Sequence, residues 1–148
     1  MRGTRRVITA LAGVISTAVV APEVRGDGPQ PGLWRTVQSV RINGERVPPQ
    51  ETMRCLTAAD VADLDRTFGP VSRTTNSECE RVEHDLTPER FRWRLQCRGQ
   101  LDMDVAGEFR FESAERYTAI VTASSSMLGK PMQEVITAID AERVGKCQ

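Results

Sequence analysis

From residue 90 onward the chain alternates between apolar and polar side chains. Phe91, Trp93, Leu95 and Cys97 fall on one side, Arg92, Arg94 and Gln96 on the other. Leu101, Met103, Val105, Phe109 and Phe111 repeat the pattern; Tyr117, Ala119, Val121 and Ala123 form a third run, and Val135, Thr137, Ile139 and Ala141 a fourth. A period of two is the mark of strands that bury one face. Gly107 interrupts the second run and predicts a bend or bulge, and Gly129-Lys130-Pro131 predicts the turn before the last strand. Residues 33–42 are also strand-like, anchored by Trp34, Val37, Val40 and Ile42. Asn43-Gly44 then predicts a hairpin, since both residues tolerate φ > 0. Its return strand meets Pro48-Pro49, which suits a sheet edge or bulge, before Met53 and Cys55 alternate with Arg54.

One stretch has a different period. In CLTAADVADLDRTFGP, Thr57 is placed to cap a helix with Asp60 as its capping-box partner, and Leu56 and Val61 are placed as a hydrophobic staple. Val61, Leu64 and Phe68 share a face, and Gly69-Pro70 ends the segment. The pattern predicts one short helix over about 57–68. The whole reads as mainly β: an antiparallel meander of about seven strands, curling into a half-barrel or small barrel packed on that helix.

The first residues change where the chain is expected to work. Arg2, Arg5 and Arg6 precede an uncharged apolar run over residues 7–20, followed by small residues. The run is short of the ~20 residues a membrane span needs, and its flanks suit a secretory signal peptide over residues 1–26. Cleavage after Ala18, Ala21 or Gly26 is compatible with the sequence. Arg5-Arg6 leaves twin-arginine export open beside the general route. A Gly/Pro-rich stretch, 27–32, reads as a flexible lead-in to a single domain over 33–148. Removing the leader takes four arginines and one glutamate from totals of 20 and 20, leaving 16 basic and 19 acidic residues. That mature chain has no basic stripe for nucleic acid and no second apolar segment to anchor it in a membrane. It is expected in the periplasm or outside the cell, as a monomer.

Cys55, Cys79, Cys97 and Cys147 all follow the leader. An even count in a short exported chain predicts disulfides, with three possible connectivities. Cys79 and Cys97 lie symmetrically about the turn at Pro88, so folding there sets them opposite each other. Cys55–Cys147 is then the second pair. The gaps are too wide for a zinc site assembled from close ligand pairs, and no metal or other cofactor is expected.

Candidate chemistry is sparse. His84 is the only histidine, and Glu83 and Asp85 beside it point to the opposite strand face. Ser124-Ser125-Ser126 lacks the strand-to-helix elbow that presents a nucleophilic serine. Asp60, Asp63 and Asp65 lack the glycine and terminal glutamate of a calcium loop. No catalytic residue is assigned. Trp34, Trp93, Phe109 and Phe111 could face a ligand inside a curved sheet, or fill the core between sheet and helix.

Pro31-Gly32-Leu33-Trp34, Cys55-Leu56-Thr57 before a helix, the bracketed hairpin between Cys79 and Cys97, Gly107 before an aromatic strand reaching Tyr117, and Val144-Gly145-Lys146-Cys147 together resemble a bacterial exported family catalogued as domain of unknown function 3617. The resemblance spans residues 31–147 and implies an exported protein with two disulfides. It supplies no activity or catalytic residue, and Arg35 stands where members often carry an acid. The expected function is a non-enzymatic module binding a periplasmic protein or a small apolar ligand. The alternative is a structural or stress-resistance protein of the envelope that acts through its surface.

Overall fold

The computed structural model describes residues 28–71 and 77–148; the leader and residues 72–76 of the polar link lie outside them. The elements are β1 (Gly32–Ile42), β2 (Glu45–Arg46), β3 (Gln50–Leu56), α1 (Ala58–Ala62), α2 (Leu64–Phe68), β4 (Ser77–Leu86), β5 (Arg90–Gly99), β6 (Asp102–Ser113), β7 (Arg116–Met127) and β8 (Lys130–Gly145). All strands join one antiparallel sheet in the order β2-β1-β8-β7-β6-β5-β4, with β3 also on β1. β2 and β3 are one return strand broken at Pro48-Pro49, so the eight strands occupy seven positions. The sheet is not closed into a barrel.

Topology explains the helices. β3 lies at one edge and β4 at the other, so the segment joining them must cross the sheet. It crosses on the face that the alternating apolar residues bury. Phe68 of α2 stands 5.1 Å from Phe109, 5.8 Å from Phe111 and 5.2 Å from Tyr117 between ring centroids. Trp34, Leu56, Phe91, Trp93, Ala119 and Ala141 complete the core, with Val61 and Leu64 packed against it. Both indole N–H groups find acceptors: Trp93 donates to the Phe68 carbonyl at 2.9 Å and Trp34 to the Gln30 carbonyl at 3.1 Å. Residues 28–31, expected as a flexible lead-in, are held here; Gly28 and Pro29 are buried and the Gln30 N–H donates to Ala114 at 2.8 Å.

The helical segment is two helices rather than one. Thr57 caps α1 in a capping box with Asp60, the Thr57 N–H donating to the Asp60 carboxylate at 2.8 Å and the Asp60 N–H to Thr57 Oγ1 at 3.2 Å. Asp63 then breaks the run, because its carboxylate accepts from the Arg66 N–H at 3.0 Å and caps α2. A side chain that bonds its own backbone neighbours competes with the continuing helix.

Two local expectations also change. Gly107 holds regular register between Trp93 and Val121 rather than forming a bulge. A Cβ there would come within 2.8 Å of three atoms of the Trp93 ring, so only glycine lets the indole lie flat on β6. β4 is bulged, Arg81 pairing with Leu95 and Glu83 with Arg94, which leaves Val82 unpaired and exposed. The last hairpin turns at Leu128 and Gly129, both at positive φ, and Pro131 already belongs to β8. Asn43 and Gly44, also at positive φ, form the first hairpin turn.

Cys79 faces Cys97 directly across β4 and β5, with Cα atoms 3.9 Å apart. Cys55 at the end of β3 is bonded to Cys147 just beyond β8, with Cα atoms 5.5 Å apart. The two bridges therefore sit at opposite edges of the sheet, one on each side of the helical crossover.

Candidate functional site

The strand register sorts every candidate residue onto one of two faces. Trp34, Trp93, Phe109 and Phe111 are all on the helix-covered face and buried. The cavity wall considered for them is taken up by packing, because Phe68 and Tyr117 occupy the space beside them. Burial raises the Tyr117 phenol above its ordinary 10.0, with Thr36 and the Arg54 charge acting the other way.

His84 lies opposite Trp93 on that same side, because the bulge at Val82 shifts the register. Its ring meets Phe91 edge-on at 5.5 Å, and its Nε2 stands 3.6 Å from Asp65 Oδ1. Arg81 donates to the same carboxylate at 2.9 and 3.0 Å. His84 thus helps dock α2 onto β4. Glu83 and Asp85 project to the opposite face, where they meet Arg92 at 3.1 Å and Arg90 at 2.7 Å. Ser124, Ser125 and Ser126 are on β7, separated from β4 by β6 and β5. The histidine and these hydroxyls are not brought together. Asp60 and Asp63 serve as helix caps; the hydrogen bonds from Thr57 hold the Asp60 carboxyl below its ordinary 3.8.

The opposite, outer face carries the feature that sequence reading missed. Its rows follow from the register. Ser39, Ala138, Ile120 and Glu108 stand side by side across β1, β8, β7 and β6, and Arg41, Ile136, Thr122 and Ala106 form the next row. Small and apolar residues at the centre leave a hollow of about 470 Å³ over Val37, Ile120 and Ala138, bordered by Glu108, Arg110 and Asp140. A second hollow of about 620 Å³ continues from Ser39 and Ala138 to Val47, Pro48 and Pro49, over Ile136. A third, of about 270 Å³, shares Glu108 and Ile120 and runs on to Ala106 and Arg92. Together they form one groove crossing the outer face from the broken strand to β5. Its floor is apolar where the row centres carry Ala, Ile, Val and Pro, a composition suited to an apolar ligand.

Charged pairs line the rest of this face, most of them across strands. Arg116 contacts Asp140 at 2.7 Å and Glu112 at 3.2 Å, Arg110 contacts Glu108 at 2.8 Å, and Arg35 pairs with Glu142. Arg94 and Arg98 converge on Asp104 at 3.2 and 3.4 Å. Desolvation pushes the Asp104 carboxyl up, but hydrogen bonds from Gln96 and Arg94 and the nearby arginine charges outweigh it and leave it below 3.8.

The signal for the groove was present but faint. Ile120, Ile136 and Ala138 sit at outward positions where a solvated strand would carry polar residues, yet only the register of four strands places them side by side. Among known proteins, the family model described as Protein of unknown function (DUF3617) matches residues 29–147. No curated protein and no solved structure matches.

Proposed function

The chain belongs to the DUF3617 family of proteins of unknown function, and from that premise we propose that it is an exported, non-enzymatic binding module that holds a small apolar ligand in the outer groove. The observation that carries this reading is the groove itself: adjoining hollows over Val37, Ile120, Ile136 and Ala138 on the sheet face opposite the helices. Export is supported by the basic start and apolar run of the leader and by the pairing of all four cysteines, which fits an oxidising compartment. A non-enzymatic role is supported by the position of His84, engaged with Asp65 and Phe91 across the sheet from the groove. The compensated arginines of the outer face argue against a nucleic-acid partner, which needs uncompensated cations in a row. In this reading the mature domain works as a monomer in the periplasm.

Native mass spectrometry of the protein recovered from its own cells tests the proposal. The expected result is a small-molecule adduct that is lost on denaturation and absent from an Ala138→Trp variant, whose indole fills the groove floor. A bare mass accompanied by one stoichiometric protein partner in a pull-down would instead establish a surface-acting protein.

A further inference from the structure

One end of the groove is charged in a way the rest of the face is not. Arg41 and Arg46 are direct cross-strand partners on β1 and β2, so both side chains project to the same side, and both border the second hollow. Like charges directly opposite each other destabilise an antiparallel pair. Elsewhere on this face Arg35, Arg92, Arg94, Arg110 and Arg116 each hold a carboxylate. Among the described residues Arg41 and Arg46 have no such partner. The nearest acid along the outer side of β8 is Glu134, which meets Asn43 through its own backbone N–H and carbonyl and makes no ion pair with either arginine.

Two uncompensated guanidinium groups at the mouth of an apolar groove define a ligand with two parts. We infer that the groove takes a single-chain anionic amphiphile, a fatty carboxylate whose head lies between Arg41 and Arg46. Guanidinium forks match a carboxylate's paired oxygens, and shared charge-assisted hydrogen bonds would relieve the repulsion between the two cations. The alkyl chain then runs over Val47, Pro48, Ile136 and Ala138 to Ile120. From β2 to β7 is three strand spacings, roughly 14 Å, the reach of a medium-length chain. This inference rests on the groove-binding reading and deepens it by naming the ligand class.

Calorimetric titration of the mature, oxidised protein with dodecanoate and with uncharged dodecanol, each below its aggregation concentration, separates head from chain. The expected result is dodecanoate binding at least tenfold tighter than dodecanol. The Arg41→Gln/Arg46→Gln variant should lose at least tenfold for dodecanoate and keep its dodecanol affinity, with a melting temperature no lower than the wild type's, since the repulsion between the two cations is removed. Ala138→Trp should lose both ligands. Equal binding of the two probes, or wild-type dodecanoate affinity in the double variant, would overturn the anionic-head inference and leave an apolar groove ligand standing. Binding of neither probe by the wild type would also overturn it; the broader reading falls with it only if the protein from its own cells carries no adduct.

Discussion

The two faces of the sheet are made from the same strands and alternate residues, yet they solve opposite problems. On the inner face, aromatic rings meet under α2, and each indole N–H has an acceptor. On the outer face, charges are paired across strands around a central band of small and branched residues, and the band stays open. Large side chains on one face fill space; small ones on the other leave it. The comparison teaches that stability and recognition are assigned to different sides of one layer, so each can be perturbed without the other.

The inner face should yield the largest effect. Phe68→Ala removes the ring that meets Phe109, Phe111 and Tyr117, and such a truncation costs about 3–5 kcal/mol; urea unfolding should show the loss while the outer groove keeps its ligand in native spectra. A stability change below 1 kcal/mol would erase the distinction between the faces. A smaller effect is expected at the helix start. Thr57→Ala should cost about 1 kcal/mol through the lost cap. Asp60, whose carboxyl is depressed by the hydrogen bonds from Thr57, contributes stability above its ordinary 3.8 that is lost as the pH falls through its lower folded value. The wild-type and Thr57→Ala melting curves, apart at neutral pH, should therefore approach each other in acid; a constant gap to the lowest pH would refute that origin. The smallest effect belongs to the outer face. Arg116→Gln breaks exposed ion pairs to Asp140 and Glu112 and should change stability by less than about 1 kcal/mol, with the remainder screened away in high salt.

How much of this was readable in the sequence depended on the range of the physics involved. The capping box was legible because Thr57 and Asp60 are three residues apart and need no partner elsewhere. The cysteine pairing about Pro88 was legible for a similar reason, since a hairpin turns sequence symmetry into spatial opposition. The break at Asp63 was not, because Asp63 fits an exposed helix position as well as a cap. Gly107 was read as a bend; the Trp93 ring that demands it comes from a neighbouring strand. The groove was least legible of all. It exists only when four strands are in register, although one clue was local: Arg41 and Arg46 are symmetric about Asn43-Gly44, and that turn alone sets two like charges face to face.

The Cys55–Cys147 bridge has a mechanical consequence. β1 lies between β3 and β8, and Leu33 pairs with Cys55 on one side and Gly145 on the other. The bridge joins those two flanking strands at the end where β1 begins. A stretching force applied through the ends of the domain enters β1 at Gly32 and divides at Cys147 between β8 and, through the sulfurs, β3. A pull that would otherwise unzip one ladder must open two at once, so a chemical crosslink at the rim becomes a load-sharing fork around the first strand.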